Sequence, residues 1–94
     1  LARRESAADQ DVNVEYIARY KPRAEKSLRK LPRGIAERVL EGIARMQADL
    51  QGDVKRLTSH EPAYRLRVGD YRVLFDVEGS TLIIQDVIHR KNAY

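Results

Sequence analysis

Apolar residues in this chain recur at two different spacings, and the spacing changes from one stretch to the next. Over residues 13–20, Val14, Tyr16 and Ala18 alternate with Glu15, Ile17 and Arg19. The alternation and its β-branched and aromatic content predict a first strand. Pro22 then suits the first turn of a helix, where the N–H that proline lacks would have no partner anyway. Across residues 23–30, Ala24 and Leu28, followed by Leu31, fall on one helical face. Pro32 and Gly34 interrupt the pattern. Beyond them Ile35, Val39, Ile43, Met46 and Leu50 form one continuous helical stripe, which Gln51, Gly52 and Asp53 end. Two helices joined by so short a link predict an αα-hairpin.

The remainder returns to a period of two. Tyr64, Leu66 and Val68 alternate with Arg65 and Arg67, and Tyr71, Val73, Phe75 and Val77 alternate with Arg72, Leu74 and Asp76. Gly69-Asp70 and Gly79-Ser80 are two-residue hairpin signals, so residues 81–89 complete a meander. The predicted fold is α+β: an N-terminal strand and a helical hairpin packed on a mostly antiparallel sheet. Leu28, Val39, Ile43, Met46, Leu66, Val73 and Phe75 are the predicted core, on the face opposite the arginines. Residues 1–12 mix Arg3, Arg4, Glu5, Asp9 and Asp11 with small residues and no apolar period. They read as a frayed or weakly helical extension ahead of a domain spanning 13–94.

Composition narrows the chemistry. The 94 residues suffice for one domain. Eighteen Lys plus Arg against 14 Asp plus Glu give a net charge of +4, and the pI is near 9.6; both favour a polyanionic partner, nucleic acid first. With no cysteine in the chain, disulfides, thiol catalysis and thiolate-bound zinc are excluded. His60 and His89 lie far apart without metal-ligand spacing, so neither a metal nor another cofactor is expected. The apolar runs are too short to span a membrane, and with no signal peptide visible the cytoplasm is the expected location.

The first hairpin permits a register argument. With Gly69 and Asp70 as the loop, Arg67 faces Arg72 across the strands, and Arg65 lies two residues along the same face. Like charges directly opposite each other destabilise a sheet unless acids pair with them or an anion binds between them. Arginine forks match phosphate oxygens bidentately, so phosphate is the candidate ligand. The plainer reading is a solvated strand face paired with Asp76 or with an acid outside the hairpin. Counting through the second hairpin places Arg72 opposite Val87, which puts His89 on the arginine face if the pairing extends. There an imidazole suits acid–base work, although a lone His near a strand end is as easily a surface residue. Arg90, Lys91 and Tyr94 follow. Tyr94 can stack on a base, bond a phosphate or simply plug the sheet edge. Lys21, Arg23, Lys26, Arg29, Lys30 and Arg33 crowd the first helix as either a solvated face or a phosphate-tracking one. Lys55 and Arg56, placed just ahead of the sheet, could belong to the same groove.

The segment Tyr64-Arg65-Leu66-Arg67-Val68-Gly69-Asp70-Tyr71-Arg72-Val73-Leu74-Phe75 and the ending His89-Arg90-Lys91-Asn92-Ala93-Tyr94, in this order of elements, resemble the RelE/ParE toxin superfamily over residues 13–94. The resemblance implies a toxin held silent by a cognate antitoxin. In the RelE branch it implies an endoribonuclease that cuts messenger RNA in the ribosomal A site. The ParE branch shares the fold but inhibits DNA gyrase, and a non-catalytic binding or repressor subunit of a toxin–antitoxin complex is a further alternative. By position, Arg65 and Arg67 fall where RelE-type toxins often carry lysine. Arg72 matches the phosphate-binding arginine after the glycine turn, Arg90 the arginine of the last strand, and Tyr94 the tyrosine beyond it. An arginine stays protonated, so Arg65 and Arg67 stabilise charge rather than accept a proton. The base is then His89 first, with His60, Glu61, a ribosomal group or water as the alternatives.

Overall fold

Three successive patterns of the chain become a sheet, two helices and more sheet in a computed structural model that describes residues 15–93. Residues 1–14, and with them the start of the predicted first strand, and Tyr94 lie outside the described residues. Strand β1 (Ile17–Tyr20) is shorter than the alternation predicted. Its Tyr16, Ala18 and Tyr20 side pack against the core, while Ile17 is exposed. Burial raises the Tyr20 phenol above its ordinary pKa of 10.0 by desolvation. Helix α1 (Pro22–Lys30) starts on its proline, with Glu25 in the first turn and Arg29 and Lys30 in the last. That charge order complements the helix dipole.

Helix α2 (Arg33–Met46) buries Val39, Ile43 and Met46 from the expected stripe. The stripe was expected to run on to Leu50, but the helix stops four residues sooner. Asp49 and Leu50 take positive φ values of 68° and 55°. The stop is tertiary in origin: the Gln47 carbonyl accepts from the Tyr16 N–H (2.8 Å), and its side-chain amide donates to the Tyr16 carbonyl (3.1 Å). The entry to β1 therefore claims the groups that another helical turn would need. Leu50 still reaches the core from its turn.

The remaining strands are β2 (Val54–Arg56), β3 (Tyr64–Val68), β4 (Tyr71–Glu78) and β5 (Thr81–His89), followed by a 3₁₀ turn at Arg90–Asn92. They assemble in the order β1-β5-β4-β3-β2. The β1–β5 pair is parallel and every other pair is antiparallel. Lys55 and Arg56 do not precede the sheet but sit in its edge strand β2, a correction to the sequence reading. The first strand likewise joins the sheet as its other edge rather than packing on it. Arg90 belongs to the turn beyond β5 and not to the last strand.

The β3–β4 register pairs Leu66 with Val73, Arg67 with Arg72 and Val68 with Tyr71, as the turn residues dictate. Gly69 supplies the left-handed φ of 57° that the first loop position requires. The β4–β5 register runs as counted from Glu78–Thr81 to Phe75–Ile84, and then slips by one residue between Leu74 and Phe75. Gln85 is the extra residue, and beyond it Leu74 faces Asp86, Arg72 faces Ile88 and Tyr71 faces His89.

One sheet face carries Leu66, Val73, Phe75, Leu82, Ile84 and Val87 against Val39, Ile43 and Met46 of α2 and Ala24 of α1. The predicted core is found there, with Leu28 packed partly buried at its rim. Helix α2 lies close to the sheet at Gly42, where a Cβ would meet Val68 Cγ2 at 3.1 Å and Leu66 Cδ2 at 3.3 Å. The opposite sheet face carries the arginines. No helix among the described residues is long and apolar enough to cross a membrane.

Candidate functional site

Arg65, Arg67 and Arg72 project from the helix-free face, and the like-charge pair is present, Arg67 being the register partner of Arg72. An acid from outside the hairpin tempers it. Asp53, on the approach to β2, places Oδ1 3.1 Å from Arg65 Nη1 and Oδ2 3.7 Å from Arg67 Nε. Its carbonyl accepts from Arg65 Nη1 at 2.8 Å and from the Arg67 N–H at 3.0 Å. The three arginines consequently differ. The side chain of Arg65 is 13% exposed and committed to Asp53, whereas that of Arg67 is 58% exposed. Arg72 is half-buried and uses one nitrogen, Nη1, to donate to the Gly69 (2.9 Å) and Tyr71 (3.0 Å) carbonyls. The turn thus fixes the Arg72 fork while leaving most of its donors for a ligand.

Arg90 comes to the same turn. Its N–H donates to the Asp70 carbonyl (2.7 Å), and its Nε lies 3.6 Å from Asp70 Oδ1. Arg67, Arg72 and Arg90 therefore gather around one hairpin tip, against single carboxylates at Asp53 and Asp70. Asp53→Ala is expected to lower stability by about 1 kcal/mol, since Arg65 keeps a carbonyl partner and exposed ion pairs contribute little. Urea denaturation reads this as a lower midpoint with an unchanged m-value. A loss above about 3 kcal/mol would mean that Arg65 behaves as a buried charge left unpaired.

His89 is not on this face. The bulge at Gln85 shifts the β5 register by one, and a one-residue shift turns every following side chain to the other side of the sheet. His89 instead stands opposite Tyr71, with ring centroids 5.2 Å apart in an edge-on arrangement. Its Nδ1 accepts from the Lys91 N–H at 3.1 Å and so caps the 3₁₀ turn that carries Arg90.

The basic residues of α1 do not form one surface. Lys21 and Arg23 line a groove on the arginine side of the sheet, and Arg23 Nε pairs with Asp86 Oδ2 at 3.1 Å. Arg29 borders an apolar groove with Tyr20, Leu28 and Leu40. Arg33 pairs with Glu37 (3.5 Å) along α2, and Lys26 and Lys30 are exposed. In β2, Lys55 is the register partner of Arg65 and shares its face. Arg56 follows Tyr64 to the other face, its guanidinium 5.7 Å from the ring centroid.

The groove beside Lys21 and Arg23, of about 770 Å³, is also lined by His60, Glu61 and Pro62 and floored by Leu74 and Ile88. Its outer wall is the loop between β2 and β3, closed by Leu57 N–H to the Ala63 carbonyl (2.7 Å) and tied to the sheet by Ala63 N–H to Asp76 Oδ1 (2.8 Å). His60 Nδ1 lies 3.0 Å from the Pro62 carbonyl. The structure thus brings two of the alternative proton carriers, His60 and Glu61, to the arginine side and takes His89 away from it. Asp53, which the sequence marked only as the end of a helical stripe, and Gln85, which it did not single out, organise the face. A lone acid before an edge strand and a glutamine inside a strand run carry no local signal of those roles.

Residues 18–94 match the family described as ParE toxin of type II toxin-antitoxin system, parDE. The chain is 36% identical over 74 residues to Toxin RelE3 of Methanocaldococcus jannaschii, covering 73% of this chain and 84% of that toxin. Among solved structures, the RelB-RelE antitoxin-toxin complex from Methanococcus jannaschii contains a chain 32% identical, with a TM-score of 0.65 over 77% of this chain and 89% of that one. A chain of the toxin-antitoxin complex RelBE2 from Mycobacterium tuberculosis is 30% identical, with a TM-score of 0.71 over 84% of this chain and 95% of that one. A chain of the archaeal RelE-RelB complex from Pyrococcus horikoshii OT3 is 26% identical, with a TM-score of 0.69 over 85% of this chain and 100% of that one.

Proposed function

This chain belongs to the ParE toxin family of type II toxin–antitoxin systems and is a RelE-like toxin, and from that premise we propose that it is a ribosome-dependent endoribonuclease that cuts messenger RNA in the A site. The observation that carries the reading is the Arg67–Arg72 pair, which faces outward from the helix-free side of the sheet with Arg90 at the same turn. Arginines at neighbouring positions of one sheet face and its turn are suited to a phosphate that gains negative charge during reaction. The RNA's own 2′-OH attacks the adjacent phosphorus in line. The P–O5′ bond breaks, leaving a cyclic phosphate on one fragment, and the departing O5′ takes a proton from water to give a 5′-OH on the other.

In this mechanism Arg72 and Arg67 stabilise the pentavalent phosphorus, Arg65 holds Asp53 and the strand in place, and Arg90 stands at the leaving oxygen. Tyr94 orients the nucleotide. Glu61 or His60 in the neighbouring groove takes the 2′-OH proton, in place of His89, whose side chain caps the last turn on the other face. The basic residues Lys21, Arg23 and Lys55 extend the phosphate-binding surface along the same side. Unstacked message is required because an A-form stack does not offer the in-line geometry. A cognate antitoxin is the expected partner, a reading supported by the antitoxin–toxin assemblies in which the structural relatives were solved.

The family match to ParE toxins favours a second reading, inhibition of DNA gyrase, in which the same basic face would bind without cutting. Separate pulse-labelling of translation and DNA synthesis after induction distinguishes the two. Early loss of translation with cut messages is expected. Early loss of DNA synthesis with intact messages would select the gyrase reading instead. Co-expression with the product of the adjacent gene is expected to give a tight complex and restore growth.

A further inference from the structure

The groove next to the arginines has a composition that phosphate binding does not explain. Its floor is apolar, made by Leu74 and Ile88, and its rim carries two side-chain amides, Gln85 and Asn92. We propose that this groove is a nucleobase subsite in which Gln85 and Asn92 read the edge of a base whose phosphate lies against Arg67 and Arg72; the proposal rests on the nuclease reading.

Register supplies the placement. Ile88 is the cross-strand partner of Arg72, and Leu74 is the partner of Arg65. Such neighbours have Cβ atoms roughly 5 Å apart, so Arg72 and the apolar floor occupy adjacent positions of one sheet face. A nucleotide has the same arrangement of a charged group beside a flat, largely apolar ring with polar edges. Gln85 supplies the reader: it is the extra residue of the bulge, without a register partner on β4, and its side chain lines the groove. Its Nε2 donates to Asp76 Oδ2 at 3.1 Å, which orients the amide and leaves its carbonyl oxygen and second N–H for a base edge. Asn92 is exposed on the 3₁₀ turn and offers the second donor–acceptor pair. At the α1 wall of the groove Arg23 is paired with Asp86, so over the apolar floor shape and hydrogen bonds decide what is held. Side-chain amides bonding base edges are a recurrent means of base discrimination.

The test is to map cleavage sites by sequencing 5′-OH ends after reaction on ribosomes programmed with each of the four bases at every A-site position. Wild type is compared with Gln85→Leu and Asn92→Ala. Asn92 is exposed, so its removal leaves the fold intact, and circular dichroism with a thermal melt checks Gln85→Leu. Wild type is expected to favour one base at one position by roughly ten- to a hundredfold. Each variant should flatten or redirect that preference while still cutting. Variants that cut with the wild-type base distribution, or a wild type that cuts without base preference, overturn the subsite and leave the nuclease reading standing. A wild type that cuts no message on ribosomes overturns both.

Discussion

Arg72→Ala is expected to lower single-turnover cleavage of messenger RNA on programmed ribosomes by roughly 10²–10³-fold, the scale of removing one well-placed charge-stabilising donor from a transition state. The Arg72 guanidinium is held by two carbonyls of its own hairpin through a single nitrogen. A fork fixed in advance loses little conformational freedom when a phosphate arrives, so its contribution should appear chiefly in the chemical step. Ribosome binding should fall far less, because Lys21, Arg23, Lys55, Arg67 and Arg90 remain to contact phosphates. Equal losses in binding and in cleavage would mean that Arg72 contributes only uniform attraction. Arg72→Lys keeps the charge but not the fork, and should recover part of the rate. His89→Ala makes the informative contrast. With its imidazole on the far side of the sheet from Arg72, the variant should retain its pH–rate profile, whereas Glu61→Gln or His60→Ala should alter it. A changed profile in His89→Ala alone would return the proton to that residue.

Phe75→Ala is expected to destabilise the fold by about 3–5 kcal/mol, the range for emptying a buried aromatic site. Phe75 is 0% exposed, and its ring stacks on Tyr64 with centroids 5.5 Å apart. It also sits at the point where the β4–β5 register slips. The void would open beside the bulge, where the backbone cannot collapse without disturbing the pairing of Leu74 with Asp86. For a domain of this size a loss of that magnitude approaches the whole stability of the native state. The measurement is denaturant unfolding, with Phe75→Leu as the milder companion. A loss under about 1 kcal/mol for the alanine variant would mean that the sheet faces are assigned the wrong way round.

Much of the fold was legible because it is set by near neighbours. Alternation of period two made β3, β4 and β5 visible, and Gly69-Asp70 fixed their first register, because only a residue free to take positive φ closes so short a turn. The stripe Val39, Ile43 and Met46 identified the buried face of α2 for the same reason. The Arg67–Arg72 pair followed from these local facts by counting, which left open whether a bound anion, Asp76 or an acid outside the hairpin answers it.

What only the tertiary structure decided depends on partners distant in sequence. That acid is Asp53, brought to Arg65 and Arg67 by an edge strand too short and too polar to show a pattern of its own. Helix α2 ended at Met46 and not at Leu50 because Gln47 is claimed by Tyr16, a residue from the far side of both helices. The groove wall holding His60 and Glu61 exists because Asp76 reaches the Ala63 N–H. The bulge was decisive for the site. The run of residues 81–89 does not fix where an extra residue sits, since Gln85 and Asp86 lie side by side between two apolar stretches and either register keeps apolar residues on both faces. Yet that single inserted residue turns His89 away from the arginines and brings Asp86 and Ile88 to their side of the sheet. A period-two pattern identifies which residues share a face only as long as the pairing is unbroken, and where it breaks is chosen by packing between strands.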